Sequence, residues 1–273
     1  MKTVKFTKMV GAGNDFIVVD AQTGMNYKRL AKLICDRKTG IGADGLLVWD
    51  KSRRANYKMR IINSDGSEAE MCGNGVRCMA IYILHEKQFK KREFRVETKA
   101  GIIHCHTDGA SAAVRLSEPF GLQEDIPLKI NRRKIRVNYI DTGVPHVVIF
   151  VEDIDGIDVP KIGRVIRMHK RFWPKGVNVN FCEQVDRKTI SVRTYERGVE
   201  DETLACGTGS AASAIITYLK ANPKVTNKTN VGMKVKTYSG EILRISFDLV
   251  DRRVTNVWLK GAAKFIAKGQ YYW

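Results

Sequence analysis

Two stretches of the chain are near copies of one another, so any fold it adopts has to accommodate the same local structure twice. Met71-Cys72-Gly73-Asn74-Gly75 and Ala205-Cys206-Gly207-Thr208-Gly209 each place a cysteine before a glycine-rich turn that opens onto an apolar, helix-forming run. The first N–H groups of a helix have no intrahelical acceptor, and with the helix dipole they stabilise negative charge. A cysteine in such a place has its pKa pulled from about 8.5 toward roughly 3.5–7.5. The two motifs therefore read as reactive thiols, each at a helix mouth.

The copying extends beyond the cysteines. Arg60-Ile61-Ile62-Asn63 precedes the first motif as Arg193-Thr194-Tyr195-Glu196 precedes the second, and Val96 to Gly101 follows the first as Val235 to Gly240 follows the second. The offset grows from 133 at the arginines to 134 at the cysteines and 139 at the later glycines, as small loop insertions in one half would produce. A period this long implies two whole domains rather than stacked short repeats. At 273 residues and 44% hydrophobic content the chain can bury a core in each half. The expected division is 1–116 and 117–261, with Ser117-Glu118-Pro119-Phe120-Gly121 as the linker and 262–273 returning to the first half.

Other classes are set aside on composition. No apolar run approaches the roughly 18 residues needed to span a bilayer, and the alternating start, Met1 to Phe6, lacks the apolar core of a signal peptide. A cytoplasmic location without membrane association is the expectation. Six cysteines in this length are too sparse for a disulfide framework and read as thiols. Lys and Arg exceed Asp and Glu by 18, with basic clusters at Lys87–Arg95, Arg132–Arg136 and Lys161–Lys175. These clusters are interleaved with apolar residues and carry no nucleic-acid-binding signature, so they read as solvated faces, and no nucleic-acid partner is expected. Cys72 and Cys78 lack Cys-x₂₋₄-Cys spacing and the histidines form no His-x₃₋₅-His set, so no metal site is expected.

Periodicity predicts buried strands at Phe16–Val19 and Val147–Phe150 and a helix over Tyr27–Lys38 with Leu30, Leu33 and Ile34 at helical spacing. Val76–Leu84 and Ala211–Leu219 read as helices apolar nearly all round, which are normally buried. Each half then wraps a sheet around one central helix, with its cysteine at the exposed end. Inverting a carbon that bears one hydrogen needs a base on one face and an acid on the other, and two thiols in unlike protonation states supply both. Backbone N–H groups of Gly73-Asn74 and Gly207-Thr208 could hold a substrate carboxylate and stabilise charge that builds on it.

The chain resembles the diaminopimelate epimerase family nearly end to end. The resemblance runs through Gly11-Ala12-Gly13-Asn14-Asp15-Phe16, Gly40 to Gly45, Asn63 to Glu68, Met71 to Cys78, Gly143-Val144-Pro145-His146, Gly176 to Phe181, and Tyr195 to Gly198 through Gly209. It implies an α+β fold of two pseudo-symmetric domains from an internal duplication, each a curved, mainly antiparallel sheet around a central helix. It also implies a cofactor-independent isomerase interconverting LL- and meso-diaminopimelate, on the route to lysine and peptidoglycan. Cys72 and Cys206 match the family's catalytic pair. Its substrate-binding positions fall on Asn14, Asn63, Gly73, Asn74, Asn178, Glu196, Arg197, Gly207 and Thr208, and its pKa-modulating pair on His146 and Glu196. As bare residues, His146 would be a structural hydrogen-bonder, Glu196 a surface carboxylate, and Asn14 and Asn63 turn formers.

Three positions depart from other members. Val144 stands where many have asparagine, Gly45 where some have glutamine, and Ala267 where some have a tyrosine at a dimer contact; a homodimer stays compatible with the resemblance. Two other functions fit parts of the pattern. A racemase of the proline racemase type shares the paired cysteines but has no use for a remote-end clamp of Asn63, Asn178 and Arg197. A nucleic-acid binder on the same fold has only the net charge in its favour.

Overall fold

The computed structural model describes residues 2–89, 91–130 and 133–273. Met1, and Lys90 and Arg132 of the basic clusters, lie outside the described residues. The chain divides into two compact units, Met1–Arg115 with Lys260–Trp273, and Leu116–Leu259. No helix among the described residues is long and apolar enough to cross a membrane.

In the first unit, β1 (Thr3–Gly11) and β2 (Asn14–Asp20) form an antiparallel hairpin, followed by α1 (Tyr27–Ile34). The strand β3 (Gly45–Asp50) runs parallel to β2 and antiparallel to β4 (Tyr57–Asn63), and the short β5 (Glu68–Ala69) turns back on β4. The helix α2 (Gly73–Glu86) comes next, then β6 (Glu93–Thr98), parallel to β4, and the antiparallel β7 (Gly101–Thr107) and β8 (Ser111–Arg115). Burial alternates along β1 as period-2 side-chain alternation dictates, while β2 and β3 are apolar runs covered on both faces. One face packs Ile17, Val19, Leu46, Val48 and Ile62 on Leu30 and Ile34 of α1. α2, buried from Asn74 to Ile83, packs against β1, β2, β7 and β8.

The second unit repeats this ladder pair by pair. Its strands β9 (Phe120–Ile130) and β10 (Arg133–Asp141) are antiparallel, and β10 pairs antiparallel with β11 (Pro145–Phe150). After α3 (Val159–Arg167), β12 (Asn178–Gln184) lies parallel to β11 and antiparallel to β13 (Thr189–Glu196), on which the short β14 (Asp201–Thr203) folds back. Then α4 (Gly207–Ala221) leads to β15 (Lys228–Thr237), parallel to β13, and to the antiparallel β16 (Ile242–Val250). β17 (Arg253–Ala262) crosses the unit boundary, and β18 (Lys264–Tyr272) pairs antiparallel with β1. A second core joins Val147, Ile149, Val179 and Phe181 to Val159 and Ile166 of α3, and α4 packs against β10, β11, β12, β13, β15 and β16. The fold is thus α+β and mainly antiparallel, and each of the parallel pairs described above spans an intervening helix.

Several helix boundaries differ from the periodicity. α1 stops at Ile34 rather than Lys38. Asp36 accepts from the backbone N–H groups of Lys38 and Thr39 and from the Thr39 hydroxyl, so a side chain takes over donors that a continuing helix would use. The central helices begin three to four residues before the predicted starts, because the motif glycines Gly73 and Gly207 are their first helical residues rather than a preceding turn. α3 starts cleanly, its N-cap Asp158 accepting from Lys161 N at 3.1 Å.

A Cβ at Gly163 in α3 would stand 2.7 Å from Cγ of the buried Tyr195 on β13. Gly163→Ala is therefore expected to destabilise the protein by about 1–3 kcal/mol through overpacking, read as a lowered midpoint in urea with unchanged slope.

Candidate active site

In the first unit, Cys72 occupies the N-cap of α2 in an extended conformation (φ −144°, ψ 116°). Ser, Thr, Asp or Asn in that position would use a side-chain oxygen to satisfy one of the helix's N–H groups. The Cys72 side chain makes no such capping bond, while its carbonyl accepts the first helical bond from Val76 N at 2.9 Å. The donors of Gly73, Asn74 and Gly75 thus have no acceptor within the helix. A Cβ on Gly73 would meet nothing within 4 Å, so this residue faces open space. The next glycine is held close, since a Cβ on Gly75 would come 3.1 Å from Leu47 Cδ2.

A polar ladder runs beside this helix mouth. The wholly buried Arg77 donates to Asn74 Oδ1 at 2.6 Å, Asn74 Nδ2 to Asn14 Oδ1 at 2.7 Å, and Asn14 Nδ2 to Asp44 Oδ2 at 2.8 Å. Arg37 closes it by bridging Asp44 and Asp15 at 2.7 and 2.8 Å. Burial would raise the Asp15 carboxyl, but its bonds to Arg37 and Lys8 outweigh that and hold it low. Asn14 and Asn74 therefore come together. Asn63 sits at the exposed end of β4, with its Nδ2 donating to Ser67 Oγ at 2.9 Å, in register with Gly45 and through it with Phe16. At Gly45 a Cβ would lie 3.0 Å from the Ile62 carbonyl oxygen, so a larger side chain there would need the β4 backbone to shift by a few tenths of an ångström.

In the second unit Cys206 is the N-cap of α4 (φ −114°, ψ 113°), again without a side-chain capping bond, and its carbonyl accepts from Ser210 N at 2.9 Å. Unlike Cys72, and contrary to an exposed helix end, Cys206 is only 7% accessible. Its sulfur lies 3.6 Å from Thr208 Oγ1 and shares a hydrogen bond with the Glu196 carboxyl, which also accepts from Thr203 Oγ1 at 3.0 Å. Burial pushes the Glu196 carboxyl up, and its bonds to Thr203 and Cys206 only partly offset that. Glu196 is therefore no surface carboxylate. Asn178 is tied at both ends, accepting from Arg197 N at 2.8 Å and donating to the Pro145 carbonyl at 3.1 Å, while Arg197 Nη1 donates to the Lys175 carbonyl at 3.2 Å.

His146 pairs with Asn178 across β11 and β12 and is wholly buried. Asn180 Nδ2 donates to its Nδ1 at 3.2 Å and to the Val147 carbonyl at 2.8 Å, so the ring hydrogen of the neutral imidazole sits on Nε2. Burial first, and the Arg197 charge second, bring its pKa down to about 3. Asn180 Oδ1 accepts from Thr194 Oγ1 at 2.9 Å and occupies the space a Cβ on Gly209 would need.

Sequence reasoning missed Asp44 and Arg77 in the first unit and Asn180, Thr194 and Thr203 in the second. Asn180 had a signal in its two-residue spacing from Asn178, which on a strand puts both on one face. A cleft of about 870 Å³ beside Arg197, walled by Phe120, Tyr139, Val144, Phe172 and the exposed Trp173, was also missed. Among the described residues no group of three or more His, Cys, Asp or Glu side chains is arranged to hold a metal ion.

Known proteins share this architecture. Over the whole chain the fold matches a phenazine biosynthesis protein of the PhzF family from Bacillus anthracis (TM-score 0.75, 18% identity, 100% of both chains). It also matches a hydroxyproline epimerase from Agrobacterium vitis solved with trans-4-hydroxy-L-proline (TM-score 0.71, 15% identity, 98% of this chain and 92% of that one). The fold is therefore the two-unit type that PhzF proteins and this epimerase have in common. In sequence, the family described as Diaminopimelate epimerase matches residues 6–119 and 138–258. The diaminopimelate epimerase of Aquifex aeolicus is 40% identical over 281 aligned residues, covering 98% of this chain and 97% of the relative. That of Archaeoglobus fulgidus is 44% identical over 230, covering 78% and 81%. The chain belongs to the diaminopimelate epimerase family and is an isomerase.

His146 gives a pH test. Folded, it stays neutral down to about pH 3, whereas in the unfolded chain it takes up a proton near 6.5. Between those values the unfolded chain binds more protons, so stability falls as pH falls, by up to about 1.4 kcal/mol per unit from this group. His146→Gln is expected to flatten that limb, measured as the difference in urea unfolding between pH 6.5 and pH 4.5 for variant and wild type.

Proposed function

We propose that the chain interconverts LL- and meso-diaminopimelate without a cofactor, using Cys72 and Cys206 as a two-base pair. One cysteine, as thiolate, takes the proton from the α-carbon. The other, as thiol, donates its proton to the opposite face, which inverts the centre and leaves the two sulfurs with exchanged protonation states. The observation that carries this reading is the cysteine at the N-cap of each buried central helix, in a place where it leaves the helix N–H groups uncapped. Those donors, at Gly73-Asn74 and Gly207-Thr208, suit the substrate's α-carboxylate and the negative charge that grows on it as the carbon loses its proton.

The flanking residues take roles consistent with their surroundings. Arg197, its backbone held by Asn178, is the cation for the carboxylate at the substrate's remote end, with Asn63 and Asn178 supplying amide donors. Fixing that end orients the reacting carbon for proton transfer. The Glu196 carboxyl, buried and bonded to Cys206, is suited to tune that thiol rather than to meet solvent. Asn14 and Asn74, already bonded to one another, present a rigid amide surface beside Gly73. The high identity to diaminopimelate epimerases across 98% of the chain favours the dicarboxylic substrate over the smaller ones of proline-type racemases. In this reading the product serves lysine and peptidoglycan synthesis in the cytoplasm.

Cys72→Ala and Cys206→Ala are each expected to abolish epimerisation, followed by chiral separation of the products, while circular dichroism and the urea midpoint stay near wild type. Wild-type turnover in either variant would contradict the two-base reading.

A further inference from the structure

The two units carry the same ion pair in the same place. Arg60 on β4 holds Glu68 on β5 through two bonds, Nε to Oε1 at 2.8 Å and Nη2 to Oε2 at 3.0 Å. Arg193 on β13 holds Glu202 on β14 with the same atoms, at 2.6 and 2.8 Å. A guanidinium gripping a carboxylate with two parallel bonds fixes direction as well as distance. In both units the glutamate precedes the cysteine by four residues, Glu68 to Cys72 and Glu202 to Cys206. Four residues form a short tether, spanning at most about 3.3–3.6 Å each, so the anchored strand constrains where the helix mouth begins.

Each arginine also reaches the element ahead of it in the ladder. The Arg60 guanidinium stacks 5.4 Å from the ring centroid of Tyr27, the first residue of α1. Arg193 Nη1 donates to the carbonyls of Ile154 and Ile157, at 2.8 and 3.1 Å, in the loop entering α3, and the guanidinium lies 4.8 Å from the Tyr238 ring centroid. Both pairs are partly buried, so each holds its geometry more firmly than a solvent-exposed pair would. What the two copies share is the delivery of a cysteine to a helix mouth.

We propose that Arg60–Glu68 and Arg193–Glu202 are positioning residues, each locking the short strand that leads into its cysteine and so setting the sulfur against the N–H groups of its helix. The proposal rests on the reading of Cys72 and Cys206 as the reacting thiols. It makes the two effects separable, because each pair governs its own cysteine. The second pair is also the more enclosed, with side chains 12% and 11% accessible against 34% and 24% in the first.

The test uses Glu68→Gln and Glu202→Gln in the full chain, which keep size and lose the charge. Alkylation of each cysteine by iodoacetamide is followed across pH by peptide mass spectrometry, beside steady-state kinetics. Glu68→Gln is expected to shift the pH profile of Cys72 and leave that of Cys206, Glu202→Gln the reverse, and both to lower kcat about tenfold with KM changed less than about twofold. Unchanged profiles and kcat in the folded variants would overturn the proposal, as would equal shifts at both cysteines, which a general loosening would give. If Glu202→Gln does not fold, the more exposed Glu68→Gln decides. A wild-type protein that does not turn over diaminopimelate would defeat the substrate assignment, while the alkylation profiles still decide the positioning role.

Discussion

A helix that begins with a cysteine it does not use as a cap is the constraint on which this protein turns. Ending a buried helix leaves N–H groups that must find acceptors, and proteins ordinarily supply one from the capping side chain. Here both central helices, α2 and α4, forgo that bond and start directly on glycines. The glycines serve two purposes. At Gly75 and Gly209 the missing Cβ lets Leu47 and Asn180 press against the helix, and at Gly73 it leaves the mouth open. The result is a pair of helix starts, each headed by a cysteine that makes no side-chain capping bond.

The duplication is close in the backbone and looser in the side chains. Strand order, parallel and antiparallel pairings and the Arg–Glu clamp recur in both units. The surroundings of the two sulfurs do not. Cys72 is half-buried next to an amide and guanidinium ladder, whereas Cys206 is covered and bonded to a carboxyl that burial pushes up. A reaction that needs one base and one acid at rest is served by such a difference, because like thiols in like surroundings would compete for the same state.

Much of this was legible in the residues. The paired cysteine motifs gave the internal repeat, and apolar runs without a polar face marked α2 and α4 as central. Other features depend on side chains acting across the fold. The helix α1 ends early because of Asp36, which periodicity of apolar residues does not register. Glu68 and Glu202 lie in stretches where the two halves otherwise look unlike, so their equivalence emerged only from the arginines they hold. His146 reads as an ordinary hydrogen-bonder until its enclosure and the Asn180 contact show it held neutral. The cleft beside Arg197 gathers Phe120, Tyr139 and Trp173 from distant parts of the second unit, and no local pattern links them.

The most direct test of the central claim is incubation of the protein with LL-diaminopimelate in deuterated water without added cofactor, following deuterium at the α-carbon and configuration together. The two-base account predicts that the first meso product to form carries one solvent deuterium at the inverted centre, while the remaining LL substrate stays unlabelled at early times. Deuterium accumulating in LL substrate without inversion, or inversion with the original hydrogen retained, would contradict it.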